Sequence, residues 1–222
     1  MIENILKVLS RYWQLFLLEG LGYTLLLSAI TVAVGAIVGS LVAMLKMSRI
    51  KPLRWIAVIY IEIIRGTPML LQLYFFYFML PQWITFIEIS KFWCIAIALI
   101  INSSAYVSEV IRSGIQAIDR GQSEAARSLG LNKRQTMMRI VLPQAIKNIL
   151  PALGNEFVMI IKDTSLASTF FIGDLMTQYR VVQGATYLVI EPLLVVGVIY
   201  FVLTFTLSKI IAAFERRMRS GD

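Results

Sequence analysis

From residue 20 to residue 45 the chain reads GLGYTLLLSAITVAVGAIVGSLVAML, 26 residues without a charge. A helix needs about 20 apolar residues to cross a bilayer, and only helices and closed barrels satisfy every backbone group where there is no water. The stretch therefore predicts a transmembrane helix, and the rest of the chain must fit around it. Of all 222 residues, 58% are hydrophobic and 15% charged, against roughly 45–50% and about 25% in a soluble domain. This length holds about five or six spans, with no room for a separate soluble domain such as an ATPase. Within the run, Gly35, Gly39 and Ala43 form a stripe of small residues that includes a GxxxG, a surface on which another helix approaches closely. The pattern leaves open whether that helix belongs to the same subunit or to a second one.

The basic residues order the other spans. Lys46, Arg49, Lys51 and Arg54 follow the first run within nine residues, which makes this loop cytoplasmic and the N-terminus external. Arg112 to Lys147 carries seven bases, and Arg216, Arg217 and Arg219 end the chain before Asp222. The intervening segments 81–91 and 172–186 carry one base each. The prediction is an all-α membrane protein with five transmembrane helices, N-out/C-in, at 20–45, 55–80, 92–112, 149–171 and 191–213. Residues 1–19 place Ile5, Leu6, Leu9, Trp13 and Phe16 on one helical face with Lys7 and Arg11 off it, the pattern of an interfacial amphipathic helix. They lack a small-residue cleavage site and do not read as a signal peptide.

Charge class and cysteine count exclude several functions. The net charge is +8, but the bases flank apolar runs, so the positive-inside bias accounts for them better than a nucleic-acid partner does. There is no histidine, and the single cysteine, Cys94, lies in an apolar run, which leaves no disulfide or cysteine metal site within one chain. No Walker A sequence, catalytic triad or metal cluster is present, so the chain is not expected to run a reaction itself.

Polar residues nevertheless enter the spans. Glu62 and Arg65 precede Gly66-Thr67-Pro68. Their spacing suits a local ion pair, and the glycine and proline predict a kinked or broken helix whose freed backbone groups face protein or water. Asn102, Tyr106 and Glu109 fall on one face of the third span, beside Ser103 and Ser104. The fourth span carries Asn155, Glu156, Lys162, Asp163, Thr164 and Ser165. Charges at membrane depth cost about 2.5–3.5 kcal/mol each on insertion scales, so they face partners or water. Candidates for a polar pathway are Glu62, Asn102, Ser103, Ser104, Asp163, Thr164 and Ser165.

Segment 119–145 is neither apolar enough to cross a membrane nor disordered in composition. Asp119 and Asn132 are helix caps, each followed three residues later by a glutamine (Gln122, Gln135). Gly130 stands where the first helix should stop in a left-handed conformation, and Leu142-Pro143 predicts a break. The motif Glu124-Ala125-Ala126, then Gly130, then Ile140-Val141-Leu142-Pro143 resembles the EAA loop of ABC-importer permeases. The stretches EIIRGTPMLLQ (62–72), NSSAYVSEVIR (102–112) and NEFVMIIKDTSL (155–166) resemble the permeases of polar amino-acid ABC importers, so the likeness covers nearly the whole chain.

That resemblance implies a type I importer in the prokaryotic cell membrane. Its expected partners are two ATPase subunits, a second permease copy or paralogue, and an extracytoplasmic amino-acid-binding protein. ATP and Mg2+ belong to the partner ATPase, and no cofactor is expected in this chain. The loop 119–145 becomes a coupling helix, with Glu124, Ala125, Ala126 and Gly130 meeting the ATPase. A stand-alone secondary transporter or channel is the rival reading; the coupling-type loop and the lack of a repeated half speak against it. A non-transporting scaffold leaves the polar residues of spans two to four without a role. Acids in or near those spans (Glu62, Glu109, Glu156, Asp163) outnumber the bases Arg65 and Lys162, so a polar and preferably basic amino acid is the expected cargo.

Overall fold

The computed structural model describes residues 1–219; Asp222, the expected cytoplasmic end, lies outside the described residues. The described chain is helical with short connections: α1 (Ile2–Gln14), a π turn (Leu15–Gly20), α2 (Leu21–Lys46), α3 (Lys51–Arg65), α4 (Met69–Trp83) and α5 (Lys91–Gln116). There follow α6 (Arg120–Ser128), α7 (Lys133–Thr136), a second π turn (Met137–Val141), α8 (Leu142–Asp163), a 3-10 segment (Thr164–Phe170), α9 (Leu175–Thr186) and α10 (Ile190–Arg219).

The uncharged run forms α2, but α1 and the first π turn continue into it as one helix, Ile2–Lys46, of 45 residues. At 1.5 Å per residue such a helix is about twice as long as the hydrocarbon core is thick. Its N-terminal part bears on protein as well as on its surroundings, since Val8 and Phe16 are buried against Leu175 and Val182 of α9 and Val195 and Val196 of α10. Helices Ile2–Lys46, Lys91–Gln116 and Ile190–Met218 are long and apolar enough to cross a membrane. The pair α3 and α4, bent by 106° at the break, makes a fourth candidate if it is counted as one span. α8, which carries Lys147, Glu156, Lys162 and Asp163, is not among them; Glu156 and Asp163 line an internal cavity, whereas Lys162 is exposed.

The central seam is α2 against α5, and it settles the use of the small-residue stripe. Gly35, Gly39 and Ala43 are all buried within this chain. A Cβ on Gly39 would sit 2.8 Å from the Ser104 carbonyl oxygen and 2.8 Å from Val107, and one on Gly35 would sit 3.0 Å from the Ser103 hydroxyl. The GxxxG therefore brings α2 onto the polar segment of α5. On the N-terminal side of that segment of α5, Leu27, Leu73, Ile95, Ala98, Leu99, Ala167 and Phe170 close an apolar core.

The helix–turn–helix of segment 119–145 forms as its caps dictate. The Gly121 amide donates to Asp119 Oδ1 at 2.6 Å. Gly130 has φ +86°, its amide donating to Arg127 O at 3.0 Å while that of Leu131 donates to Ala126 O at 3.1 Å, the paired bonds of a Schellman ending. Asn132 and Gln135 form a reciprocal capping box at 3.0 and 2.9 Å. The expected break at Leu142-Pro143 does not occur. Val141 and Leu142 stay in the right-handed helical region and α8 begins there with proline in its first turn. The preceding π turn shifts the hydrogen-bond register, with Leu142 bonding back to Met137. Proline is tolerated in a first turn, where its missing donor costs no bond.

Candidate functional site

The break between α3 and α4 lies over the polar face of α5. α3 ends at Gly66, whose amide donates to Glu62 O at 2.8 Å, and Pro68 precedes α4 in an extended conformation. The carbonyls freed by the break are met by the Thr67 hydroxyl, which donates to Ile63 O at 2.9 Å, and by the buried side chain of Gln72. Its Nε2 donates to Ile64 O (2.7 Å), Thr67 O (3.1 Å) and Thr67 Oγ1 (2.8 Å), while its Oε1 accepts from Asn102 Nδ2 at 2.9 Å. The amide and the hydroxyl together supply what water would supply outside the membrane.

Beside this network lies a cavity of about 140 Å³ lined by Thr67, Met69, Asn102, Tyr106, Glu156, Met159 and Asp163. Glu156 and Asp163 lie seven residues apart on α8, about two turns, and so project to the same side. Glu156 Oε1 accepts from Ser103 at 3.4 Å. No lysine or arginine is among the described lining residues, and Lys162, beside Asp163 in sequence, is exposed.

Of the residues expected on the pathway, the structure brings Asn102 and Asp163 into this lining, with Ser103 reaching it through Glu156. Ser104 is turned away: it is fully buried, donates to Ile101 O at 2.8 Å and lies 2.6 Å from the Tyr60 hydroxyl. Thr164 is buried, with its hydroxyl on Ile161 O, and Ser165 is half-buried in the 3-10 segment. Glu62 is exposed and does not line the cavity. Its expected ion pair with Arg65 does not form. Arg65 reaches instead toward Glu109, at 3.8 Å, which Lys46 (2.5 Å) and Arg112 (2.9 Å) also hold. Thr67, Met69, Tyr106, Glu156 and Met159 join the lining although the pathway set omitted them. Tyr106 had a signal, since it shares a face with Asn102, and Glu156 had one in being an acid at membrane depth.

In the basic loop, Glu124 and Ala125 are exposed and Ala126 is buried. Leu129 stands 82% exposed beside Gly130, an apolar side chain held out by the turn.

An all-α membrane protein with a broken helix beside a polar cavity has an arrangement that transport proteins use. Residues 32–220 match the family described as binding-protein-dependent transport system inner membrane component. The arginine transport system permease protein ArtQ of Bacillus subtilis (strain 168) is 44% identical over 207 residues, 93% of this chain and 94% of that protein. The putative glutamine transport system permease protein GlnP of Rickettsia bellii (strain RML369-C) is 41% identical over 98% of this chain and 99% of its own length. A solved structure described as an amino acid ABC transporter with histidines superposes with a TM-score of 0.89 at 48% identity, covering 94% of this chain and 96% of that one. The chain belongs to this family of inner-membrane transport components, as an ABC-transporter permease subunit that is not itself catalytic.

Proposed function

We propose that this permease carries a basic L-amino acid inward, with the cationic side chain taken between Glu156 and Asp163. The observation that carries the reading is that both carboxylates line one cavity whose described lining includes no base. A buried charge without a partner is costly, so a cation is the ligand that relieves it. The α-carboxylate goes to the N-terminus of α4 beside Thr67 and Met69, where first-turn amides lack intrahelical partners and the helix dipole favours an anion. The seryl hydroxyls are less suited, since Ser103 and Ser104 are already engaged. Two relatives support a cationic cargo by description, one an arginine permease and the other a transporter solved with histidines. Others at similar identity are described for glutamine, which keeps a polar neutral amino acid as the second reading.

The topology consistent with this role is five crossings, N-out/C-in, with α8 as a crossing that keeps its polar face inside and residues 1–19 at the interface. Glu124, Ala125, Ala126 and Gly130 form the surface that meets an ATPase subunit. Two ATPases, a second permease and an external binding protein complete the transporter. The test is uptake by the whole transporter in proteoliposomes. Asp163→Asn is expected to reduce arginine uptake far more than glutamine uptake; equal loss for both, or none, removes Asp163 from the cargo site.

A further inference from the structure

One turn farther along α5 toward the basic loop, beyond the cavity, cations gather around Glu109. Tyr106 lines the cavity, and the Arg65 guanidinium lies 5.3 Å from the centre of its ring. Arg65 also faces Glu109, but it is the loosest of three claimants. Lys46 holds Oε1 at 2.5 Å, and Arg112 holds Oε2 at 2.9 Å with Nε 3.3 Å from both oxygens. Arg65 reaches Oε2 only at 3.8 Å. Three cations thus share one carboxylate, and the one held most loosely lies over the Tyr106 ring, which is part of the cavity lining.

We propose that Arg65 and Tyr106 form the inner constriction of the pathway, a cation-bearing gate between the cavity and the cytoplasmic side. The ring closes the floor by its bulk. The guanidinium, held on the ring face and steered by Glu109, repels a cationic side chain lodged between the two carboxylates above. Arg65 is the last residue of α3, directly before the 106° break, so any change in that bend carries it off the ring. Arg65 is therefore a positioning residue, acting on cargo through Tyr106 and through its field, and it ties release to the movement of α3 against α5. Lys46 and Arg112 stay on Glu109 and keep that carboxylate from drawing Arg65 away in the closed arrangement.

The inference rests on the cargo reading, and the test separates the two. The assembled transporter, with its ATPase, is placed in proteoliposomes filled with whichever amino acid the wild type accumulates, and outward leak is followed without ATP. If the wild type accumulates glutamine and not arginine, the cargo reading fails, while the gate is still judged by leak of glutamine. Arg65→Gln and Tyr106→Ala are expected to leak on the order of tenfold faster than wild type. Tyr106→Phe, which keeps the ring face, is expected to stay as tight as wild type. Where arginine is carried, Arg65→Gln should raise its leak more than that of glutamine. Should Arg65→Gln fail to assemble, Tyr106→Ala decides alone. Tight vesicles with Tyr106→Ala overturn the gate, as does Tyr106→Phe leaking as fast as Tyr106→Ala.

Discussion

A single methyl group placed on Gly39 tests the seam that sets the polar segment of α5 in position. An alanine in the middle of a helix gains about 1 kcal/mol over glycine from backbone entropy alone. At Gly22, also on α2, nothing lies within 4 Å of a new Cβ, so Gly22→Ala should show that gain. At Gly39 the new Cβ meets the Ser104 carbonyl oxygen, Val107 Cβ and Val107 Cγ1, each at 2.8 Å. A backbone carbonyl cannot swing aside as a long side chain can, so the two helices must separate. Overpacking of this kind costs about 1–3 kcal/mol. The two alanine variants should therefore differ by about 2 kcal/mol, or roughly 4–8 °C in melting temperature for a chain of this size. The assay is thermal unfolding of the detergent-solubilised transporter, with uptake measured in parallel. Separation at Gly39 also shifts Ser104 and its neighbour Ser103, the donor to Glu156, so Gly39→Ala should lose transport as well. Equal melting temperatures for the two variants would refute a tight seam and the reasoning built on it.

Gln72→Ala strips partners from the Ile64 and Thr67 carbonyls and from Asn102. It should lower stability by about 1–3 kcal/mol and raise the apparent KM for uptake, both measurable on the same preparation. Gly130→Val meets no atom within 4 Å but is held at φ +86°, so its strain of about 1–2 kcal/mol is purely conformational. It should leave membrane insertion intact and weaken co-purification of the ATPase, and unchanged co-purification with normal transport would remove this turn from coupling. Reporters inserted near Met47 and near Gly184 should read cytoplasmic and external respectively; the reverse at either place ends the five-crossing topology.

Local rules were legible wherever a few adjacent residues decided the outcome. The broken helix at Gly66-Thr67-Pro68, the Schellman ending at Gly130 and the Asn132–Gln135 capping box all follow from side-chain size and donor count within one turn. The continuation through Pro143 was not legible, because it depends on a π turn that shifts the register before the proline arrives. Nor was the partner of the α2 stripe, since glycines at that spacing suit a neighbour in either subunit. The site was half legible. Asn102 and Asp163 stood out as polar groups at depth, whereas Gln72 sits in an apolar run and shows its role only once Asn102 lies beside it. Its one signal is an amide four residues after a helix-breaking proline, where carbonyls need a donor.

The acidic surplus at the cavity arises differently in space than along the sequence. Counted along the segments, four acids outweigh two bases. In the fold, Glu109 leaves the account, held by Lys46, Arg65 and Arg112, and Glu62 is exposed away from the cavity. Arg65 pairs across 44 positions rather than with the glutamate three residues before it. The reason is geometric. Glu109 offers a carboxylate that is 17% exposed and already surrounded by donors, while a pair with Glu62 would form near the surface, where exposed pairs contribute little. What remains is a separation of sign, with two carboxylates at the cavity and a surplus of cations around Glu109. For the cationic cargo proposed above, opposite signs in series would hold it and resist its exit, and inward release would require the surplus cations to move relative to the carboxylates. On that proposal, the elements carrying the two sets, α8 on one side and α2, α3 and α5 on the other, are those that a transport cycle would move against one another.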